Sequence, residues 1–457
     1  MSLLPFPFYL CCLAVVVLGL RAWKGRYEGW GIPMGAVTVT VAAWYLGDAI
    51  YNDYAEYVLI QGNESLTNAW WEVLLFLISF GWLVPKINRR INGNLGGQSR
   101  VFEMMRVRAI ETFEFQHQVQ VMAGLLLIPW LLLMILALFR TDFNVLGLFF
   151  PYLSEKADPW ARKRLGGGLD AIYALANYVQ IMLTALYGVV LALSKRPHVM
   201  LISGIIYFLA VPFYVFDRTR NTMLAVLLPG FMALVAFRLK GSVLKKLVIV
   251  FVAFLALESW MKFVIDNRDR VDMVTAFKLG GTQDTEVKER KHLGLNMLEE
   301  LGYINYFIGN GSYKVNWGGR YFAELVNPIP RVIWPGKPMI GIDYAIARGM
   351  SYGDQDAAQG GVAASISTGM IGQGVVNFGR LLGPIAAALL MSFWVAVLAR
   401  QDLMGNDIGH LLLYAIGLVL TFNMGRDITL LVIYPFVFGW LFVLYFAKQK
   451  STPLAVS

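Results

Sequence analysis

The sequence predicts an all-α, polytopic membrane protein, and three observations carry that prediction. Only 15% of its 457 residues are charged, with a mean hydropathy of +0.57, whereas a soluble domain carries about 25% charged residues. About eleven apolar runs have the length of a helical membrane crossing. A single long hydrophilic stretch, residues 266–379, interrupts them.

The runs lie near 5–21, 34–51, 68–85, 119–139, 170–193, 199–216, 221–237, 247–265, 380–399, 410–425 and 428–446. Every backbone group at membrane depth must be satisfied within the protein, so a helical bundle is the default. Three regions follow: residues 1–265 with the first eight spans, the loop 266–379, and residues 380–457 with the last three spans and a short tail. Orientation comes from Lys and Arg, which collect in cytoplasmic loops. Placing 86–118 inside makes the chain alternate consistently. The inner connections then hold Lys24 and Arg26, then Lys86, Arg89, Arg90, Arg100, Arg106 and Arg108, then Lys195 and Arg196, then Arg238, Lys240, Lys245 and Lys246. The first outer connection, 52–67, has no Lys or Arg. The N-terminus is expected outside and the C-terminus, with Lys448 and Lys450, inside. The stretch 101–117 mixes apolar and basic residues and reads either as an amphipathic surface helix or as a simple connecting helix.

This placement gives the net charge of +9 a topological origin rather than a nucleic-acid partner. The only cysteines, Cys11 and Cys12, sit inside the first apolar run, which excludes a disulfide framework. The four histidines, His117, His198, His292 and His410, form no HExxH pair, and no GxxxxGK[ST] phosphate loop occurs. The first run has no basic leader and reads as a span rather than a cleavable signal. Asp48 and Glu258 are acids near the outer ends of spans, where structural pairing and a functional role are both open.

Some cations break the topology rule. Arg162, Lys163 and Arg164 precede the fifth span from outside, Arg218 and Arg220 occupy the outer turn DRTRN, and Arg426 occupies the outer turn MGRDI. Such a rim suits an anion at the membrane surface, or snorkelling to lipid phosphate. Within the loop, a helical periodicity runs through Leu293, Leu295, Leu298, Leu301, Ile304 and Phe307 and is broken by Gly309 and Gly311. Pro328, Pro330, Pro335 and Pro338 then enforce an extended path expected to present Arg331, Trp334 and Lys337. Asp343, Arg348, Asp354 and Asp356 follow, and the small-residue tract 359–379 leads into the ninth span as a short re-entrant or surface-lying helix or an ordinary loop-to-helix transition.

The segments NPIPRVIWPGKP and GQGVVNFGRLLGPI, the DRTRN turn before a span, and the long loop before the last spans together resemble the Wzy-type polysaccharide polymerases of the O-antigen polymerase and ligase superfamily. The motifs themselves cover about 217–222 and 325–382. One departure stands at Gln373, where related sequences often carry Glu, so no acid or base is assigned there. The resemblance implies a GT-C-like fold in the bacterial inner membrane. It also implies a reaction joining undecaprenyl-pyrophosphate-linked oligosaccharide repeats at the outer face, without metal or cofactor. The partners implied are the lipid-linked donor and acceptor, membrane lipids and a chain-length regulator. An O-antigen ligase and a secondary transporter or flippase are the alternatives. No internal repeat of the transporter kind is visible.

The chemistry suits the residues. Guanidinium groups bind phosphate oxygens bidentately and stay charged. Arg218, Arg220 and Arg331, with Lys337, are therefore the candidates to stabilise a pyrophosphate leaving group, with Arg426 and Arg348 as substrate contacts. The acceptor hydroxyl calls for a general base. His292, Asp343, Glu324, Asp354 and Asp356 are open candidates. Tyr321, Trp334, Trp317 and Tyr352 are candidates to stack on sugar rings, and Gln373 and Asn377 to hydrogen-bond them.

Overall fold

The computed structural model describes residues 4–95, 98–101, 103, 111–151, 156–160, 170–216, 220–266, 296–327, 329, 333–338, 341–349, 366–404, 408–428 and 430–450. All regular structure among them is helical. In chain order the helices are α1 (Phe6–Lys24), α2 (Gly31–Val41), α3 (Gly47–Tyr51), α4 (Tyr54–Gln61), α5 (Asn63–Asn92), α6 (Phe113–Arg140), α7 (Val145–Phe149), α8 (Asp170–Leu193), α9 (Pro197–Val215), α10 (Arg220–Ala233), α11 (Val243–Asp266), α12 (Met297–Gly309), α13 (Gly319–Val326), α14 (Ile342–Ala347), α15 (Met370–Leu403), α16 (Ile408–Met424) and α17 (Leu430–Lys450). Helix occupies each of the apolar runs read from the sequence.

Six helical stretches are long and apolar enough to cross a membrane: Phe6–Glu28, Asn63–Leu95, Phe113–Arg140, Ile172–Leu193, Pro197–Val215 and Met370–Leu403. The protein is therefore a multi-pass, all-α membrane protein. Exposed leucine, isoleucine and phenylalanine cover the flanks of α1, α6 and α9, as expected of helices whose solvent is hydrocarbon. Where helices touch, small residues permit close approach. Gly230 of α10 meets the backbone of Gly188 on α8, so a side chain at Gly230 would force the pair apart.

The basic residues gather at one end of the bundle. Ser99 N–H donates to Tyr27 O (2.7 Å), Val101 N–H to Asp402 Oδ1 (2.9 Å) and Asn92 Nδ2 to Ala396 O (2.8 Å). Gln116 Nε2 donates to Leu193 O (3.1 Å), and Lys195 pairs with Glu111 (3.0 Å). These contacts bring together the connections carrying Lys24, Arg26, Arg89, Arg90, Arg100, Lys195, Arg196 and Arg400. Residues 102 and 104–110 of the stretch read as amphipathic or connecting lie outside the described residues, and Phe113 onward belongs to α6.

The opposite end holds the loop helices. Between α2 and α3, residues Ala42–Leu46 form a π-helical turn. It aims Trp44 Nε1 at Phe422 O (3.0 Å) and lets Tyr45 Oη accept from Ile371 N–H (3.0 Å). Asp48 answers the question its sequence position left open. Its Oδ2 accepts from Leu298 N–H (2.9 Å) and Glu299 N–H (3.0 Å), and its Oδ1 from Tyr57 Oη (2.9 Å) and Asn52 Nδ2 (2.7 Å). A helix start leaves backbone N–H groups unsatisfied, and Asn296, the residue before α12, supplies no side-chain cap. Asp48 is thus the N-cap of α12, delivered from another helix.

α15 is two helices rather than one. Gly379 has φ 76° and ψ −179°, outside helical space. Nine residues of continuous helix would separate Gly374 from Gly383 by about 13 Å, yet the two backbones are in direct contact, and a Cβ on either would collide with the other. The chain therefore doubles back at Gly379. The short arm, 370–378, is buried from Met370 to Asn377, and the long arm, 380–403, carries the membrane-crossing character. Of the readings open for 359–379, this is a buried, folded-back helix; residues 359–365 lie outside the description.

Candidate functional site

The site is built where three pieces meet at the loop end: α13, the turn between α16 and α17, and the start of the short arm. The turn and the arm are stitched by backbone. Gly369 N–H donates to Arg426 O (2.9 Å) and Met370 N–H to Gly425 O (3.1 Å). Gln373 completes the seam with a two-way amide bond to Ile428, Nε2 to the carbonyl (3.1 Å) and Oε1 from the N–H (2.9 Å). Asn377, one turn later on the same face, accepts from Tyr321 N–H (3.2 Å) and donates to Gln373 O (2.7 Å). Both amides are fully buried. They hold the walls of the site together.

α13 has the sequence GRYFAELV, and its polarity is reversed. Arg320, Ala323, Glu324 and Val326 are buried, whereas Phe322 is 51% and Leu325 63% exposed. Arg320 is 4% and Glu324 5% exposed. The Arg320 guanidinium lies 3.9 Å from Asp427 Oδ1, donates to Ile366 O (3.4 Å), and rests against Gly341. Its Nε and Nη1, and Glu324 Oε2, are buried without a hydrogen-bond partner among the described residues, as are the hydroxyls of Tyr321 and Tyr434. Native proteins pair nearly all such groups, so a cluster of unpaired ones invites a ligand.

Asp427 is held by Thr368 N–H and Oγ1, both at 3.2 Å. Burial raises its carboxyl above the ordinary range, opposed by Arg320 and the Ser367 and Thr368 hydrogen bonds. Burial, reinforced by Asp427 and opposed by Arg320, pushes Glu324 up to about 8. A carboxyl poised near neutrality can give or take a proton at working pH. Arg426 is exposed at the rim, its Nε donating to Ser367 Oγ (2.7 Å).

The other sequence candidates divide. Arg348 pairs with Glu300 (3.1 Å) and stacks on Tyr303, 3.6 Å from the ring centre, while Tyr344 Oη donates to Glu300 Oε2 (2.7 Å). Burial raises Glu300, opposed mainly by Arg348. Asp343 accepts from Tyr313 Oη (2.5 Å). These two groups join α12, α14 and the 313–316 segment. Lys337, expected to be presented outward, is buried, its ammonium donating to Asn327 O (2.7 Å) and Ile329 O (2.8 Å). Prolines leave few backbone donors in this segment, and the ammonium supplies donors to its carbonyls. Trp334 packs edge-to-face on Phe322 at 6.5 Å. Arg218, Arg331, His292, Tyr352, Asp354, Asp356, Arg162, Lys163 and Arg164 lie outside the described residues, and Arg220 is described by its backbone alone, at the start of α10.

Sequence reasoning missed three residues. Arg320 was not singled out, although its spacing to Glu324 puts both on one helical face. Asp427 sits beside the noticed Arg426. Glu72, inside an apolar run, is buried on α5 and accepts from Asn305 Nδ2 (2.8 Å), and Arg380 donates to Asn305 O (3.0 Å). Among the described residues, no three His, Cys, Asp or Glu side chains come together as a metal-binding group requires. Searches against protein families, curated proteins and solved structures return no match to the chain.

Proposed function

We propose that this protein is a membrane glycosyltransferase that polymerises lipid-linked oligosaccharide repeats. In this reading the eleven helical runs all cross the bilayer in a GT-C-like bundle of the bacterial inner membrane. The N-terminus is periplasmic, the C-terminus cytoplasmic, and the loop end faces out. One observation carries the proposal: Arg320 is buried within the influence of two carboxyl groups, Asp427 and Glu324, with guanidinium nitrogens unpaired among the described residues, on a helix whose outward face is apolar. That arrangement suits a substrate with an anionic head and a hydrocarbon tail, as a polyprenyl pyrophosphate has.

The acceptor hydroxyl oxygen attacks the anomeric carbon of the donor sugar, and its proton passes to the Glu324 carboxylate. The bond from that carbon to the pyrophosphate oxygen breaks, and the bonding pair leaves with the pyrophosphate. Arg320 and Arg426, with Arg331, Arg218 and Arg220, supply positive charge where negative charge grows. One well-placed contact of this kind is worth about 3 kcal/mol in rate. Gln373 and Asn377 act by holding the walls.

The test is extension of a defined undecaprenyl-pyrophosphate-linked repeat by the purified protein, with a lipid A core offered in parallel. A ladder of repeats on the first acceptor supports the proposal. Transfer only to the core makes the enzyme a ligase, and no transfer to either ends the reading. Arg331→Ala is expected to fold and to leave only single repeats. Long glycan from that variant would remove Arg331 from the reaction.

A further inference from the structure

The apolar outward face of α13 does not depend on any reaction. A helix bordered by water turns charge outward and apolar residues inward. α13 does the reverse, and the segment after it continues the pattern: Ile333 is 75% exposed, and Ile329 and Trp334 are 36% exposed. Position says what covers this face. The start of α13 rests on the end of the short arm, through Asn316 N–H to Val376 O (3.1 Å), the Tyr321–Asn377 bond, and the Tyr321 ring against Phe378 at 6.1 Å. Three and four residues beyond Phe378, Leu381 and Leu382 open the exposed face of the membrane-crossing long arm, at 67% and 52%. The α13 face therefore adjoins a surface whose solvent is hydrocarbon.

We infer that Phe322, Leu325, Ile329, Ile333 and Trp334 form a membrane-seated surface: α13 lies in the bilayer interface with this face among the acyl chains and its charges turned into the protein. Apolar helix faces seat about 5–10 Å into the headgroup–acyl boundary, and a tryptophan at the edge is the usual interfacial anchor. The partner is bulk lipid rather than a protein or a specific substrate. The loop is then pinned to the bilayer on one side of the Arg320 cluster, and that cluster opens at headgroup depth.

The wild-type chain tests this. In vesicles of phosphatidylcholine and phosphatidylglycerol, without any glycolipid, a carbene precursor confined to the acyl layer is photolysed and the protein is digested with trypsin. Peptide 321–331 is expected to carry adducts at Phe322 and Leu325 at a density like that of peptide 381–400, about ten-fold above the polar peptide 91–100. Labelling of 321–331 no higher than 91–100 would overturn the inference, whether water or a second copy of the chain covers the face. A nitroxide on Leu325→Cys, in a chain with Cys11 and Cys12 replaced by serine, gives an independent reading. Collision with oxygen should exceed collision with a water-soluble nickel complex, and the reverse order overturns the inference. Carbene labelling with acyl-layer density stands on its own if the cysteine-free chain fails to fold.

Discussion

α12 and α13 belong to the same loop and bury charge in opposite ways. α12 is buried on nearly every side, its N-terminus is capped by Asp48, and Glu300 is answered by Arg348 and Tyr344. α12 and its charge partner leave over the neutral Asn305 Oδ1 and one guanidinium nitrogen, Arg348 Nε, whereas α13, among the described residues, leaves Arg320 Nε and Nη1 and Glu324 Oε2 unpaired, with Arg320 no closer than 3.9 Å to Asp427. A satisfied buried network fixes a structure, and a partly satisfied one is costly unless something completes it. The contrast separates the scaffold of the loop from its working surface.

The comparison can be broken most directly at Asp48. Asp48→Ala leaves two N–H groups of α12 and the donors of Tyr57 and Asn52 without their acceptor. Orphaned buried donors cost about 1–3 kcal/mol each, so the two backbone N–H groups alone set an expected loss of about 2–6 kcal/mol in unfolding free energy. Denaturant unfolding in detergent measures it, and a loss below about 1 kcal/mol would demote the cap. Arg320→Gln should show the opposite profile. Its unfolding midpoint moves less than half as far as that of Asp48→Ala, while polymerisation falls about 100-fold. Equal damage to folding in the two variants would erase the distinction drawn here.

The smallest effect is a pH slope. Glu324 has its proton affinity raised in the folded state, to about 8, above the ordinary value near 4.3 of an unfolded glutamate. The folded chain then binds more protons than the unfolded one between those limits, so this group's stability contribution is complete below about 4.3 and is lost as pH rises through about 8. Glu324→Gln should flatten that part of a melting-temperature profile relative to wild type. Parallel profiles would mean that Glu324 titrates near its ordinary value.

Much of the scaffold was legible in the sequence because hydrocarbon imposes one simple demand, a long apolar helix. The apolar runs and the start of the long arm at residue 380 both follow from it. Asp48 could be placed near a helix end but not given a partner, since that partner is a backbone 250 residues away. Glu72 was passed over because one acid barely lowers the hydropathy of its run. Arg320 was missed for a different reason. Periodicity tells that Arg320 and Glu324 share a face, but the face a helix buries is decided by its surroundings, and here hydrocarbon rather than water explains the choice. Lys337 was read as presented because proline stiffens a chain, which says nothing about where a side chain on it points.

The long reach of Asp48 also bears on the order of manufacture. A ribosome delivers this carboxylate with the second apolar run, but the N–H groups that it serves belong to residues made some 250 positions later. Trp44 and Tyr45 wait longer still, for partners 378 and 326 residues downstream. The first helices are thus inserted with their binding edge unfinished, and the last third of the chain closes it. A polypeptide that stops short of residue 422 leaves part of that polar edge unmatched, which marks a truncated product as incomplete from its first hairpin onward.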